Sequence, residues 1–162
     1  MNVHGDAFLG PLIVEKIAMT IPLAHISFVS RLDGFANEHA RGIKKAHRVN
    51  VKGGTDYNLL KDADVVIVAG AVQRRPEMTR EDFVSVNLRV FSEISKEIQK
   101  SAPAAAVVVA PFGVDHIETL EGIRETVNGF FKNPVLLVPA KTVWEVSMNA
   151  ARAVVDAVRE LS

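Results

Sequence analysis

Residues 56–68 read DYNLLKDADVVIV, and the short, uninterrupted apolar run at the end of this stretch indicates the fold class. The run from Asp64 to Val68 is too short for a helix, and its continuous apolar character is typical of a parallel strand that is covered on both faces. Runs of the same kind lie at Ile26 to Val29, Ala105 to Ala110 and Pro134 to Val138. Weaker strand candidates are Val3-His4 and the segment Arg48 to Val51.

Amphipathic segments separate the predicted strands. Helical spacing begins after Gly10-Pro11, where proline is well tolerated in a first turn, and the stretch from Thr142 to Leu161 has the pattern of a closing helix. A further helical face consists of Phe83, Val86, Val90, Phe91, Ile94 and Ile98. Strands that alternate with helices predict an α/β fold, with a doubly wound parallel sheet and helices on both faces.

The composition of the 162-residue chain predicts a single domain over residues 1–162. The 19 basic residues balance 19 acidic ones, which excludes a strong uniform field for nucleic acid or anionic lipid. The sequence has no cysteine, which excludes thiolate catalysis and cysteine zinc sites, and no His, Asp and Glu grouping has metal-ligand spacing. No apolar run approaches the ~20 residues of a membrane span and no signal pattern opens the chain. We therefore expect a cytoplasmic protein with neither nucleic acid nor membrane as a partner.

The segment Gly5-Asp6-Ala7-Phe8-Leu9-Gly10 follows the first predicted strand and opens the first helix. A dinucleotide-binding fold places its G-x-G-x-x-G loop here, because glycine allows the tight turn and the helix amino end offers free N–H groups to a diphosphate. In this chain Ala7 replaces the middle glycine and Asp6 adds an unfavourable carboxylate. We expect Gly5, Ala7, Phe8, Leu9 and Gly10 to line a diphosphate site; the alternative is an ordinary strand-to-helix turn.

The second predicted strand ends at Ser30-Arg31, about twenty residues past Gly10, where NAD-preferring sites carry an acid for the adenosine ribose. A carboxylate would repel a 2′-phosphate, whereas a guanidinium would bind it with charge-assisted hydrogen bonds. Ser30 and Arg31 therefore predict NAD(P) as the cofactor, with NADP favoured. A solvated arginine after a strand is the alternative.

Three segments together resemble one known family. They are DYNLLKDADVVIV at residues 56–68, RRPEMTREDF at residues 74–83, and Asn87. They are similar to the lactate/malate dehydrogenase family, whose pattern runs LKDADVVVITAG, RKPGMTRxDLL and a following asparagine. The resemblance is dense from about Asp56 to Val109 and recognisable back to Gly5. It implies a Rossmann-type NAD(P)-binding domain.

The resemblance also implies roles for single residues. Arg74 and Arg80 match the two substrate-facing arginines of the family, one on the substrate carbonyl and one on a carboxylate, as expected for a 2-hydroxy or 2-keto dicarboxylic acid such as malate. Asn87 matches an asparagine near the nicotinamide, and Ala69 and Gly70 fall in the cofactor-binding loop after the fourth strand. The alternative is an exposed charged loop beside a helix start, where acidic residues favour the helix dipole.

Departures from the family pattern bear on catalysis. Ala110-Pro111-Phe112-Gly113 replaces the family's Thr-Asn-Pro, and Met148 stands where a substrate-binding arginine is expected. Glu145 stands where an aspartate orients the catalytic histidine, but that histidine lies in the family's C-terminal domain, which has no counterpart here. Of the five histidines, His116 is the best candidate for a place near the crevice, whereas His4, His25, His39 and His47 are expected in structural or remote positions.

Three functions follow from these observations. The chain is expected to be an NAD(P)-binding domain without full activity of its own; the alternatives are a split or divergent malate dehydrogenase-like oxidoreductase, or an interaction protein that keeps the fold without the ligand. We expect a homo-oligomer, a dimer, in each case. Phe130, Phe131 and Trp144 are candidates for an exposed apolar patch, unless the last helix covers them.

Overall fold

The computed structural model of the chain describes residues 2–4, 9–21, 23–111, 113–114 and 116–138, together with Asn149, Arg152 and Asp156. In this part of the chain every strand belongs to one sheet, and all neighbouring strands are parallel. The strands are β1 (Asn2–His4), β2 (His25–Val29), β3 (Asn50–Gly54), β4 (Val65–Ala69), β5 (Ala106–Ala110) and β6 (Leu136–Leu137). Their order is β3-β2-β1-β4-β5-β6, which confirms the predicted doubly wound parallel sheet.

Helices connect the strands in the order that the sequence predicts. They are α1 (Leu9–Thr20), α2 (Phe35–His47), α3 (Arg80–Ser101) and α4 (Ile117–Asn128), with a short 3-10 helix at Tyr57–Leu60. Among the helices of the described ranges, none has the length and apolar character that crossing a membrane requires.

The two faces of β4 explain its uninterrupted apolar sequence. Val65, Ile67 and Ala69 pack in a core with α1 and α2, while Val66 and Val68 pack in a second core with α3 and α4. All five residues are buried. A central parallel strand with helices on both sides has no solvated face, so no polar residue alternates with the apolar ones.

The buried face of α3 is more polar than the sequence predicts. Of the predicted core positions, Val86 and Val90 are only half-buried, whereas Asn87 and Ser95 are fully buried. The other predicted positions, Phe83, Phe91, Ile94 and Ile98, are buried as expected. Asn87 owes its place to hydrogen bonds that an apolar pattern cannot signal, and these are part of the site described below.

Predicted strand boundaries are wrong by a few residues where a helix or turn overlaps them. β3 begins at Asn50 and not at Arg48, because Arg48 adopts a left-handed conformation (φ 54°) and donates its N–H to the Lys44 carbonyl to end α2. β5 begins at Ala106 rather than at the residue before it.

The carboxyl-terminal predictions are met only in part. β6 is limited to Leu136–Leu137, and the N–H of Val135 donates to the Asn128 side chain at 3.2 Å instead of joining the strand. The predicted helix from Thr142 to Leu161 lies outside the described residues, apart from three helical and exposed positions, Asn149, Arg152 and Asp156.

Helix α2 packs so closely on β3 that residue 53 must be glycine. A Cβ on Gly53 would overlap the backbone carbonyl of Ala36 and come within 2.7 Å of the Asn37 nitrogen. Both obstacles are backbone atoms, which cannot rotate away as a side chain can. The contact fixes α2 against the outer part of the sheet, beside the carboxyl end of β2.

Candidate functional site

The direction of chain winding reverses between β1 and β4. From β1 the chain proceeds outward through β2 to β3, and then crosses back to place β4 on the other side of β1. In open parallel sheets, ligands bind in the crevice outside the carboxyl ends of the strands at such a reversal. At this edge of the sheet β1 ends at His4, α1 begins at Leu9 and β4 ends at Ala69.

The amino end of α1 faces this crevice as the sequence predicts. Leu9 and Gly10 form the first helical turn, and Gly10 is buried. The turn contains no acidic residue, so the partial positive charge of the helix amino end is uncompensated within it. The other predicted loop residues, Gly5, Ala7 and Phe8, lie outside the described residues.

The predicted pair at the end of β2 divides into one buried and one exposed residue. The N–H of Ser30 donates to the Gly54 carbonyl at 3.0 Å, and its hydroxyl oxygen accepts the N–H of Leu32 at 3.2 Å. Ser30 is only 2% exposed, so its hydroxyl shapes the turn. Arg31 is exposed and is the side chain of this pair that the turn presents to solvent.

Tyr57, on the 3-10 helix, is a titratable residue whose link with the end of β2 is not predicted from the sequence. Burial raises the pKa of the Tyr57 phenol to about 12, while the Arg31 guanidinium opposes that rise and the Glu97 carboxylate adds to it. The 3-10 helix that carries Tyr57 packs against β2, the strand that Arg31 follows. The sequence gives no signal for this, because the two residues lie on separate connections.

The end of β4 leads into the predicted cofactor loop. Ala69 and Gly70 are buried, and the N–H of Gly70 donates to the Ala110 carbonyl at 3.2 Å, which continues the pairing of β4 with β5. The side chain of Asn87 then fixes the chain at Val72: its carbonyl oxygen accepts the Val72 N–H at 2.9 Å, and its NH₂ group donates to the Val72 and Phe83 carbonyls.

Asn87 therefore holds the base of the loop. Its side chain is fully buried, and the hydrogen bonds to Val72 and Phe83 engage both its donor nitrogen and its acceptor oxygen. The predicted contact of Asn87 with a nicotinamide stays a prediction; the role that the structure gives it is to position the residues that precede the arginines.

The predicted arginines lie on the exposed segment from residue 73 to residue 80, which we call the arginine loop. Arg74 and Arg75 are exposed, and the Met78 N–H donates to the Arg75 carbonyl at 3.0 Å to form a turn. The Nη2 atom of Arg80, the first residue of α3, lies 2.5 Å from Oε2 of Glu118 on α4. Glu118 was not predicted as part of the site.

A capping box fixes the carboxyl end of the arginine loop. The Thr79 hydroxyl accepts the Asp82 N–H, while the Asp82 carboxylate accepts the Thr79 N–H at 3.1 Å. Hydrogen bonds from the Thr79 side chain, and then from its backbone, lower the pKa of Asp82. The predicted helix-start role of the acidic residues is thus compatible with a ligand-binding role for Arg74 and Arg80 on the same loop.

A second contact joins the arginine loop to the segment after β5. Gly113 has φ 80°, and a Cβ on it would lie 2.6 Å from Oε1 and 2.7 Å from Nε2 of Gln73. The Gln73 carboxamide therefore packs directly on the Gly113 backbone. Gln73 is not predicted as part of the site, because no local sequence pattern signals its contact with Gly113.

The described histidines are spread over the molecule. His25 begins β2 at the opposite edge of the sheet, His39 packs on Phe35 with ring centroids 4.4 Å apart, and Nε2 of His47 lies 2.7 Å from a Glu15 carboxylate oxygen. His116 immediately precedes α4, half-buried on the crevice side of the sheet. In the described ranges no three His, Asp or Glu residues are grouped so as to hold a metal ion.

The strand order and the crevice define a Rossmann-type dinucleotide-binding domain, and comparison with known proteins specifies which kind. The family model described as lactate/malate dehydrogenase, NAD binding domain, matches residues 5–155. The chain belongs to this family, as its segments at residues 56–68 and 74–83 predict.

The curated relatives are malate dehydrogenases. The chain is 34% identical over 122 residues to malate dehydrogenase 1 of Anaeromyxobacter dehalogenans, covering 70% of the chain and 38% of that protein. It is 30% identical over 131 residues to a malate dehydrogenase of Citrifermentans bemidjiense, covering 79% of the chain and 37% of that protein. The chain thus spans less than two fifths of the length of these relatives.

Solved structures confirm the fold. The malate dehydrogenase of Cryptosporidium parvum matches with a TM-score of 0.69 at 21% identity, over 85% of this chain and 44% of that one. The malate dehydrogenase of Archaeoglobus fulgidus in complex with NADH matches with a TM-score of 0.65 at 22% identity, over 78% of this chain and 45% of that one.

Proposed function

We propose that the chain binds a nicotinamide dinucleotide along the carboxyl edge of its sheet, as the cofactor half of a dehydrogenase site. The observation that carries this proposal is that α1 begins directly after β1, at the point where the direction of strand order reverses between β1 and β4. Amide groups at the amino end of that helix suit a diphosphate, and Leu9 and Gly10 belong to this turn. When bound, the dinucleotide supplies a nicotinamide ring that exchanges hydride; the chain's own residues hold and orient it.

We propose further that the adenosine end of the site prefers NADP. Arg31 is exposed at the end of β2, and a guanidinium pairs with a phosphate through parallel hydrogen bonds. Ser30 contributes by fixing the turn through its bond with the Leu32 N–H rather than by presenting its hydroxyl.

The arginine loop supports a 2-hydroxy or 2-keto dicarboxylic acid as the second ligand. The exposed Arg74 and the paired Arg80 supply two guanidinium groups at the same edge of the sheet as the proposed dinucleotide. The resemblance assigns one guanidinium to the substrate carbonyl and one to a carboxylate, and the presence of both arginines matches the family pattern for dicarboxylic acids better than that for lactate. Malate is the named substrate of the relatives, and we extend that substrate class to this chain.

Cofactor fluorescence tests the proposal. Titration of the chain into NADH and NADPH is expected to show saturable binding of both, with NADPH bound more tightly. The variant Arg31→Gln should lose the preference for NADPH and keep NADH affinity, whereas the control Arg41→Gln, which changes an exposed arginine on α2, should alter neither. Tighter NADH binding by the unmodified chain would contradict the NADP preference, and binding of neither cofactor would contradict the main proposal.

A split or divergent oxidoreductase is the second candidate, favoured by the retained Arg74 and Arg80. A spectrophotometric assay of the pure chain with malate, oxaloacetate, lactate and pyruvate is expected to show little turnover, and addition of a captured partner chain would restore it if the enzyme is split.

A ligand-free assembly protein is the third candidate, favoured by Asp6 and Ala7 in the phosphate loop. It predicts no thermal shift at millimolar cofactor, whereas cofactor binding must raise the unfolding temperature.

We also propose that the chain self-associates, as a dimer. Phe130 and Phe131 are half-buried, and Phe131 packs at the margin of the second core, while Trp144 lies outside the described residues. Size-exclusion chromatography with light scattering tests this, and a monomer at micromolar concentration would contradict it.

A further inference from the structure

The carboxyl end of α4 carries an asparagine that is followed by glycine. Asn128, the last residue of α4, is the one asparagine of the sequence that precedes a glycine. Asn128 and Gly129 are both exposed, so water reaches the side-chain amide and the peptide bond that follows it. Because glycine has no Cβ to shield its backbone nitrogen, this nitrogen can approach the side-chain carbonyl carbon of the preceding asparagine.

A backbone N–H donates to the oxygen of the same side-chain amide. The N–H of Val135 lies 3.2 Å from Oδ1 of Asn128, across the segment that joins α4 to β6. Attack of a nucleophile on the carbonyl carbon would place negative charge on Oδ1 in a tetrahedral intermediate. A hydrogen-bond donor that is already in place stabilises such a charge, as backbone N–H groups do in oxyanion holes. The contact therefore favours attack on the Asn128 amide and limits the rotation of its side chain.

The attacking nitrogen is held by a hydrogen bond of the last helical turn. The Gly129 N–H donates to the Glu125 carbonyl at 3.0 Å, where α4 ends. Hydrogen bonds at the end of a helix open at little cost in free energy, because helix ends fray. Opening of this bond frees the Gly129 nitrogen, and the conformational freedom of glycine lets it turn toward the Asn128 side chain.

We propose that Asn128 is a site of spontaneous deamidation in the folded chain, promoted by the N–H of Val135. The Gly129 nitrogen gives its proton to a base in the solvent and bonds to Cγ of Asn128. The bond between Cγ and Nδ2 then breaks, and the amide nitrogen takes a proton and leaves as ammonia, so that a succinimide ring remains. Water opens the ring at either carbonyl and gives aspartate or isoaspartate. The reaction consumes water, releases ammonia and needs no oxidant or reductant.

The two products differ in their effect on the connection between α4 and β6. Aspartate at residue 128 keeps an oxygen that accepts the Val135 N–H, and its negative charge is unfavourable at the carboxyl end of a helix. Isoaspartate lengthens the main chain by a methylene group and shortens the side chain by the same amount, so the acceptor no longer reaches Val135. We expect isoaspartate to loosen Leu136, the first residue of β6, which follows Val135 directly.

The test incubates the native chain at neutral and at mildly alkaline pH and follows it by peptide mapping with mass spectrometry. The peptide that contains Asn128 should gain the mass difference between NH₂ and OH, faster at the higher pH, while the exposed Asn37 stays unchanged. Gly129→Ala is the matched variant, because residue 129 has φ −63° and a Cβ there lies 3.5 Å from its nearest neighbour, the Thr126 carbonyl oxygen. The variant should fold as the unmodified chain does and lose most of the conversion.

Two further measurements test the parts played by the fold. Replacement of the Val135 N–H by an ester oxygen, introduced by semisynthesis, keeps the side chain and should slow the conversion several-fold. Hydrogen exchange at Leu136 should become faster in the isoaspartate product. Conversion of Asn128 in urea but not in the native chain would overturn the proposal, as would equal conversion in Gly129→Ala. An unchanged rate in the ester variant would overturn the role of the Val135 N–H.

Discussion

The side-chain amide of Asn87 closes a two-way hydrogen-bonded contact with the backbone of Val72. The Asn87 oxygen accepts the Val72 N–H at 2.9 Å, and the Asn87 nitrogen donates to the Val72 carbonyl at 3.3 Å and to the Phe83 carbonyl at 3.0 Å. A fully buried amide thus ties the end of the cofactor loop to the second turn of α3.

Replacement of Asn87 by aspartate should destabilise the chain. A carboxylate keeps an acceptor for the Val72 N–H but cannot donate to either carbonyl, and it would be buried as a charge. We expect Asn87→Asp to lower the free energy of unfolding by about 2–4 kcal/mol, measured by urea denaturation at neutral pH. The exposed Asn37 on α2 provides the matched control: Asn37→Asp should change the stability by less than about 0.5 kcal/mol. Equal effects of the two variants would contradict the role of Asn87.

Substitution by alanine is expected to have opposite effects on stability at two of the glycines. Gly53→Ala should destabilise by about 3 kcal/mol or more, because its Cβ would overlap the Ala36 carbonyl and force α2 away from β3. Gly42→Ala, within α2, meets nothing within 4 Å and should stabilise by about 0.5–1 kcal/mol through the gain in helix propensity. Thermal unfolding of both variants should show a lower unfolding temperature for Gly53→Ala and a higher one for Gly42→Ala. An unchanged unfolding temperature in Gly53→Ala would contradict the packing described for α2.

The pKa of Tyr57 can be read without interference, because it is the only tyrosine in the sequence. Absorbance at 295 nm should report titration near pH 12 in the folded chain and near the ordinary value of 10.0 in denaturant. Between these two pKa values the Tyr57 phenol keeps its proton in the folded state and loses it in the unfolded state. The free energy of unfolding should therefore fall as the pH rises from about 10 to 12. Tyr57→Phe should abolish that loss, and Arg31→Gln should raise the pKa of Tyr57 further, since the cation lowers it. A folded-state titration near pH 10 would contradict the burial of the phenol.

The capping box at the start of α3 predicts a pH-dependent loss. Thr79→Ala removes the N-cap and should cost about 1 kcal/mol at pH 7, measured by urea denaturation. The same contacts lower the pKa of Asp82, so its carboxylate contributes to the stability of the folded state at neutral pH. This contribution is lost as the pH falls below 3.8 and through the lower pKa that Asp82 has in the folded state. The difference between the unmodified chain and Thr79→Ala should therefore shrink in acid. A difference that is independent of pH would show that Asp82 plays no part in the cap.

Local sequence pattern predicts those features that depend on burial along one element. The uninterrupted run of β4 gives its place at the centre of the sheet, because a strand covered on both faces leaves no position for a polar residue. Arg74 and Arg80 are predicted as site residues by the resemblance of residues 74–83 to the family pattern. Arg48 was wrongly assigned to β3. It ends α2 instead, because its N–H donates to the Lys44 carbonyl, and this hydrogen bond has no signal in the apolar pattern.

Contacts between segments that are distant in sequence are not predicted by the apolar pattern along one element. The pairing of Arg80 with Glu118 and the packing of Gln73 on Gly113 depend on how α3 and α4 lie against each other, which only the assembled sheet determines. Asn87 is predicted as a residue near the nicotinamide, but no local pattern predicts that its amide is buried against the backbone of Val72. The resemblance to the family therefore predicts Arg74, Arg80 and Asn87 as site residues, whereas no local pattern predicts the contacts that Gln73 and Glu118 make.

The central claim, that a dinucleotide binds at the carboxyl edge of the sheet, is tested most directly by mapping amide chemical shifts during NADPH titration. We expect saturable shifts concentrated at Gly10, Arg31 and Gly70, with His25 and Asp62 at the opposite edge unaffected. Shifts confined to that opposite edge, or none at millimolar NADPH, would contradict it.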